Sequence, residues 1–370
     1  MKIPVIIIDA VFAHYRKDFF TELKQSADFD FNLITGDRYI GIKSVSDEKN
    51  IQLDYLNFRI FGHTFYYLKG ILKFILKKRA PIIISTGVDF HLIHILLLFF
   101  INKIFIKSKF YWWSHASIGN QGNIGYILRK FFYKNSDGVL VYSKAGEENL
   151  LRMGIKKERI EVVGNSINYF DYGYLNYNIS RNYNKRNELK ILYTGRITKE
   201  KKLDILIRAI AVLKSENKLN IKCMIVGGGA VNKLIRLAED LNVIGCVDFI
   251  GPKYEKDIHQ YFIDADLFVY PGGIGLSVLH ALSFGIPVIT TDNIQLQFPE
   301  FELLKKGYNG DLYKDNSVED LAGKILEWED KIKKSKNEIS TNCIQRIKDL
   351  EYLPDKMSFK FQKLLKRTKD

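Results

Sequence analysis

Pro271-Gly272-Gly273-Ile274-Gly275-Leu276-Ser277-Val278-Leu279-His280-Ala281-Leu282-Ser283-Phe284-Gly285-Ile286-Pro287-Val288-Ile289 says most about the fold class. The apolar run Leu267–Tyr270 leads into it and reads as a buried strand. Three glycines follow within five residues, where a chain leaving a strand must turn sharply. A helix is then expected from about Gly275, with Leu276, Leu279 and Leu282–Ser283 as its buried stripe. Gly285 stops that helix, and Pro287–Thr291 reads as a second buried strand. Strand, glycine loop, helix and strand make one βαβ unit, which implies a parallel sheet. The backbone N–H groups opening such a helix offer a place for an anion.

The same rhythm extends in both directions. Around this unit the expected strands are Leu189–Thr194, Ile221–Val226 and Val247–Ile250, with helices Leu203–Lys214, Val231–Leu241, Glu255–Ile263 and Val318–Lys334. Earlier, strands are expected at Pro4–Asp9, Asp30–Thr35, Ile51–Arg59, Pro81–Thr86, Phe110–His115, Gly138–Ser143 and Ile160–Gly164. Helices are expected between them at Lys17–Ser26, Phe65–Arg79, Phe90–Asn102 and Ile124–Tyr133. Ser166 to Asn187 is crowded with Tyr and Asn, lacks periodicity, and reads as a linker. The expectation is an α/β protein of two doubly wound Rossmann-like domains, residues 1–165 and 188–345, facing across a cleft. Residues 346–370 are expected to form a helix that packs back on the first domain.

Length and composition agree with two domains. The chain has 370 residues, 46% hydrophobic and 26% charged, enough apolar material for two cores and too much for a disordered chain. The N-terminal apolar run Ile3–Ile8 is short and closed by Asp9, unlike a secretory signal. The longest apolar stretch, Leu92–Phe100, falls well short of the ~20 residues that span a bilayer. Cys223, Cys246 and Cys343 lack metal spacing and suggest a reducing cytosol. The formal charge of +14 points to a polyanionic partner: nucleic acid, an anionic membrane or a phosphorylated small molecule.

Chemistry concentrates at the ends of expected strands. Leu189–Thr194 runs into Gly195-Arg196 with Lys201 five residues on. Arg196 and Lys201 suit a diphosphate clamp, and a solvated basic turn is the alternative. Gly227-Gly228-Gly229 follows another strand and permits close approach of a phosphate or sugar. It lacks the GxGxxG spacing of a dinucleotide fingerprint. His280 falls near the second turn of its helix, either facing a ligand or serving structure. His115 ends the strand Phe110–Trp113 as a hydrogen-bonding or acid/base group, with a plain turn histidine as the alternative. His14, Tyr15 and Arg16 follow the first strand and are acceptor-side candidates. Asp264-Ala265-Asp266 spells a DxD metal motif, but its place before a strand favours a structural role.

Taken together, Gly195-Arg196 with Lys201, the Gly227–Gly229 loop and PGGIGLSVLHALSFGIPVI resemble glycosyltransferase family 4. YSKAGEENLLRMGI from Tyr142, VVGNSIN from Val162 and FPEFELLKKGYNG from Phe298 extend the resemblance from Tyr142 to about Lys334. The segment around Tyr15-Arg16 and Phe19-Phe20 resembles bacterial cell-surface polysaccharide glycosyltransferases. The resemblance implies a GT-B fold and retaining transfer from a nucleotide-diphosphate sugar, UDP- or GDP-linked, to a glycan or polyprenyl-linked acceptor. It implies that Arg196 and Lys201 bind the diphosphate, and that Gly273, Ile274, Gly275 and Leu276 hold phosphates and donor sugar. His115 matches a histidine near that sugar. The family's E-x7-E pair falls at Gly272 and His280. An imidazole at 280 still bonds a ribose hydroxyl, whereas Gly272 replaces no carboxylate. No cofactor or metal is implied, because the basic clamp neutralises the diphosphate.

The remaining charge suggests a location. Lys69 to Lys109 holds eight Lys/Arg and one acid. Tyr66–Arg79 reads as an amphipathic helix with Lys69, Lys73 and Lys77 in one stripe. That favours a cytoplasmic protein lying on the inner face of the plasma membrane, with a solvated helix face as the alternative. A nucleic-acid partner is not expected, since no basic-aromatic motif set appears. A catalytically silent partner subunit and a nucleotide-sugar epimerase are the competing readings.

Overall fold

The computed structural model describes residues 1–39, 42–44, 50–116, 123–169, 188–216 and 219–367. Most of the expected linker, residues 170–187, lies outside them. The chain divides into two compact units, Met1–Asn168 with Tyr352–Asp370, and Tyr169–Glu351.

In the first unit seven strands form one parallel sheet: β1 Ile3–Val11, β2 Phe29–Gly36, β3 Ile51–Leu53, β4 Ile82–Thr86, β5 Lys109–Ser114, β6 Gly138–Val141 and β7 Ile160–Val162. Their order is β7-β6-β5-β4-β1-β2-β3, so the winding reverses between β1 and β4. Continuous apolar runs are needed because both faces are covered. Val5 and Ile7 point to one core with Phe19, Phe20 and Leu23. Ile6 and Ile8 point to the other, with Ile71, Ile75, Ile95 and Phe99. Helix Pro354–Arg367 belongs to this unit and puts Met357, Phe361, Leu364 and Leu365 into the first of these cores.

One segment departs from the sequence expectation. Tyr55–Ile60 and His63–Leu68 pair as an antiparallel hairpin, where a continuing strand and then a helix from Phe65 are expected. The aromatic residues of 65–67 favour a pleated surface, and Tyr66 and Tyr67 face Asn57 and Leu56 across the ladder. Gly70, at φ 81°, then turns the chain into a short helix, Ile71–Lys78. Lys69 precedes that helix, so the expected three-lysine stripe shrinks to Lys73 and Lys77.

In the second unit six parallel strands, β8 Leu189–Thr194, β9 Ile221–Val226, β10 Val247–Gly251, β11 Leu267–Tyr270, β12 Val288–Thr291 and β13 Gly310–Tyr313, lie in the order β10-β9-β8-β11-β12-β13. The reversal falls between β8 and β11. In such sheets ligands bind beyond the carboxyl ends of the strands at that point. The helix from Val318 ends where expected, at Ser335, whose non-helical angles (φ −140°, ψ 35°) separate it from a second helical run to Asp349.

Candidate functional site

The first unit has a pocket of about 410 Å³ beyond the carboxyl ends of β1, β4, β5 and β6. Asp9, Arg16, His115, Arg129, Tyr133 and Tyr142 are among the residues lining it. Arg16, on the turn after β1, pairs with the Asp9 carboxylate and donates to the Tyr142 hydroxyl at 2.9 Å. Its guanidinium also lies over the Trp113 ring, 4.3 Å from the centroid. Burial opposes the Arg16 charge, but Tyr142 and Asp9 outweigh it and raise its pKa. Burial pushes the Asp9 carboxyl up, offset in part by Arg16. This cation is therefore held by the fold, not merely displayed to a ligand.

His115 follows β5, and its ring stacks on Tyr142 with centroids 4.4 Å apart. The residue is exposed, yet the atoms packed around its ring and then the Arg16 charge push the imidazole down to about 4. At neutral pH it is a neutral hydrogen-bonding group. His14 and Tyr15 do not line this pocket. Their rings meet edge to face at 5.8 Å, and the His14 carbonyl accepts from Asn168 Nδ2 at 2.8 Å. Of the three acceptor-side candidates, only Arg16 joins His115.

In the second unit three glycine-bearing loops converge at the strand ends. The Ile197 N–H donates to the Gly228 carbonyl at 2.8 Å, and the Gly195 N–H to Val226 at 3.0 Å. A Cβ on Gly227 would overlap the Gly195 carbonyl oxygen, and one on Gly229 would overlap that of Ile197. The glycine run thus serves backbone-on-backbone packing. Only Gly228 of the three has open room, its nearest neighbour to an added Cβ being Pro252 at 3.9 Å.

On the other side of β8, the Lys201 ammonium donates to the Gly273 carbonyl at 3.0 Å. It also lies over the rings of Tyr270 (4.9 Å) and Phe298 (5.8 Å). Arg196 is exposed, and its carbonyl accepts from the Tyr193 hydroxyl at 2.9 Å. A Cβ on Gly272 would overlap the Glu200 carbonyl oxygen, so the loops carrying Lys201 and Gly272 touch through bare backbone. The Ile274 side chain is fully buried and its N–H donates to Gln297 Oε1 at 2.8 Å. Ile274 accordingly offers a ligand neither. Helix Ser277–Ser283 starts two residues later than expected, leaving Gly275 and Leu276 in the loop, both partly exposed. His280 stacks on Phe262 with centroids 5.9 Å apart. Asp266 is structural: it accepts from the Lys190 N–H at 3.1 Å and from Lys336 Nζ at 2.8 Å.

Residues 178–346 match the family described as glycosyl transferases group 1. This stretch of the chain is therefore similar to group 1 glycosyl transferases. Amylovoran biosynthesis glycosyltransferase AmsK of Erwinia amylovora is 24% identical over 204 residues, 52% of this chain and 48% of that one. O-antigen biosynthesis glycosyltransferase WbnH of Escherichia coli is 26% identical over 179 residues, 47% of each chain. The chain spans about half the length of these relatives. The crystal structure of Anabaena HepE in complex with UDP aligns over 99% of this chain and 100% of that one, with a TM-score of 0.72 at 15% identity. That likeness shows the GT-B fold.

The matched residues include Arg196, Lys201 and the Gly272–Leu276 loop. The pocket of the first unit precedes the matched residues and holds groups missing from the candidates read in the sequence, among them Asp9, Arg129 and Tyr142. Asp9 reads there only as the end of a strand. Arg129 sits in an ordinary covering helix, yet its Nη1 is buried without a hydrogen-bond partner among the described residues. Tyr142 opens a family-like segment, which was its one signal.

Proposed function

We propose that the chain is a retaining glycosyltransferase that moves a sugar from a UDP- or GDP-sugar to a glycan or lipid-linked acceptor in building a bacterial surface polysaccharide. The observation that carries this reading is Lys201, held by Gly273 and two aromatic rings at the switch point of a group 1 domain. The named relatives act in amylovoran and O-antigen biosynthesis, which supports the product class. HepE was solved with UDP and with UDP-glucose, which supports a nucleotide-sugar donor.

In the reaction the bond from the anomeric carbon to the diphosphate oxygen breaks, and its electron pair leaves with the phosphate. The acceptor oxygen bonds to the same face of that carbon and gives its proton to the departing phosphate oxygen. Arg196 and Lys201 stabilise the charge that builds there, a role in which losing one group costs roughly 10²-fold or more in rate. These cations take the place a metal holds in other transferases, so transfer proceeds without one. Neutral His115 bonds a hydroxyl of the donor sugar. His280 bonds the ribose. Arg16 and Arg129 give the first-unit pocket a basic wall for the acceptor. The reaction takes place on the cytoplasmic side of the plasma membrane, where lipid-linked acceptors are reached.

Gly272 favours one rival, a catalytically silent partner subunit, because the family's first carboxylate is missing there. A panel of UDP- and GDP-sugars, followed for donor hydrolysis and transfer, separates the two. Turnover of one donor supports the transferase. Binding without turnover across the panel supports the silent subunit.

A further inference from the structure

Helix Asn123–Lys134 buries Phe132 and Tyr133 against the first unit's core. Its opposite side is also apolar. Ile124, Ile127, Leu128 and Phe131, spaced i, i+3, i+4 and i+7, are 74%, 61%, 41% and 46% exposed. One apolar stripe is enough to pack a helix, so the second has no folding role. The neighbouring helix Ile93–Ile101 and the wide turn Asn102–Ile106 repeat the pattern with exposed Leu97, Phe100, Ile104 and Phe105. The two rows meet where the Phe100 and Phe131 rings lie 6.4 Å apart. Single exposed apolar residues are ordinary, but a joined row marks an interaction surface.

Charge identifies the partner. From Tyr55 to Ser136 the chain has twelve lysines and arginines and one acid, Asp89. Lys103 and Lys107 are exposed in and just after the turn that carries Ile104 and Phe105, and Lys134 ends the helix that carries the other row. Apolar side chains that enter the acyl boundary beside cations that meet anionic headgroups are the two signals of interfacial binding. A second copy of the chain would bring like charges together. We propose that this face, not the helix Ile71–Lys78, docks the protein on an anionic lipid bilayer. The inference does not depend on the catalytic reading.

Flotation of the full chain with phosphatidylglycerol-containing vesicles and with pure phosphatidylcholine vesicles tests it. The wild type is expected to float with the anionic vesicles at low salt and far less with the neutral ones. Ile127→Ser with Phe131→Ser should weaken that binding roughly tenfold or more, because both side chains leave the acyl boundary. Phe105→Ser, on a separate element, should weaken it as well. Both variants should keep the wild-type melting temperature and donor hydrolysis, so failure here is distinct from failure of the catalytic reading. Wild type that stays unbound to anionic vesicles, or a double variant that floats as well as wild type, overturns the proposal. So does a wild-type dimer that the double variant abolishes, because the face is then covered by a second copy.

Discussion

Lys201 is already in place before any ligand arrives, since one carbonyl and two rings hold its ammonium. Cation–π contacts of this kind contribute about 0.5–2 kcal/mol, enough to fix a long side chain. Lys201→Ala should therefore lower kcat by roughly 10²-fold with a much smaller change in stability. Steady-state kinetics beside a thermal melt checks both. Gly272 makes a different prediction. Restoring the family's carboxylate with Gly272→Glu forces a side chain into the Glu200 carbonyl, so the variant should lose roughly 1–3 kcal/mol of stability and gain no activity. His94 sets a pH dependence. Burial pushes its imidazole down to about 4, against about 6.5 in an unfolded chain. Between those values the unfolded state binds a proton that the native state refuses, so stability falls as pH drops from 6.5 towards 4. His94→Leu should remove that part of the slope in melts across this range. An unchanged slope would contradict the assignment.

At the scale of elements, the second unit was the more legible. β8, β9 and β11 match their expected bounds, because a parallel strand buried on both faces is an unbroken apolar run. Gly310–Tyr313 was not anticipated as a strand, since Gly and Asp have weak strand preference. Pairing with β12 and the bond from the Tyr313 hydroxyl to the Pro271 carbonyl at 2.7 Å hold it. The hairpin of 55–68 was hidden for another reason: its aromatic run also fits a helical period. The position of Arg196 and Lys201 after the end of β8 was legible because strand, glycine and cation are neighbours in sequence. Asp9, Arg129 and Tyr142 were not, because only the sheet brings them together across more than a hundred residues. The glycine run carried a misleading signal, since its tightest contacts are with backbone. Gly227→Ala should cost roughly 1–3 kcal/mol by pushing apart the loops after β8 and β9. A melting temperature equal to wild type would show that those loops yield freely.

For the whole molecule, the first unit is completed by the end of the chain. The Phe361 ring lies 5.0 Å from Phe19 and 4.9 Å from Trp113. Lys363 and Arg367 pair with Glu161 at 3.1 and 2.9 Å. Phe361→Ala should thus destabilise the first unit by about 3–5 kcal/mol, seen as early loss of the Trp112 and Trp113 fluorescence transition on denaturation. The same unit carries twelve of the basic residues within Tyr55–Ser136. Most of the +14 charge thus belongs to one unit, while Arg196 and Lys201 are a small share, proposed above to meet a diphosphate. The central claim is that this small share drives glycosyl transfer. The most direct test follows donor turnover by wild type, Arg196→Ala and Lys201→Ala across UDP- and GDP-sugars. Turnover of one donor by wild type, reduced roughly 10²-fold in each variant, is the predicted result. Near-wild-type turnover in both variants, or no turnover of any donor by the wild type, would contradict it.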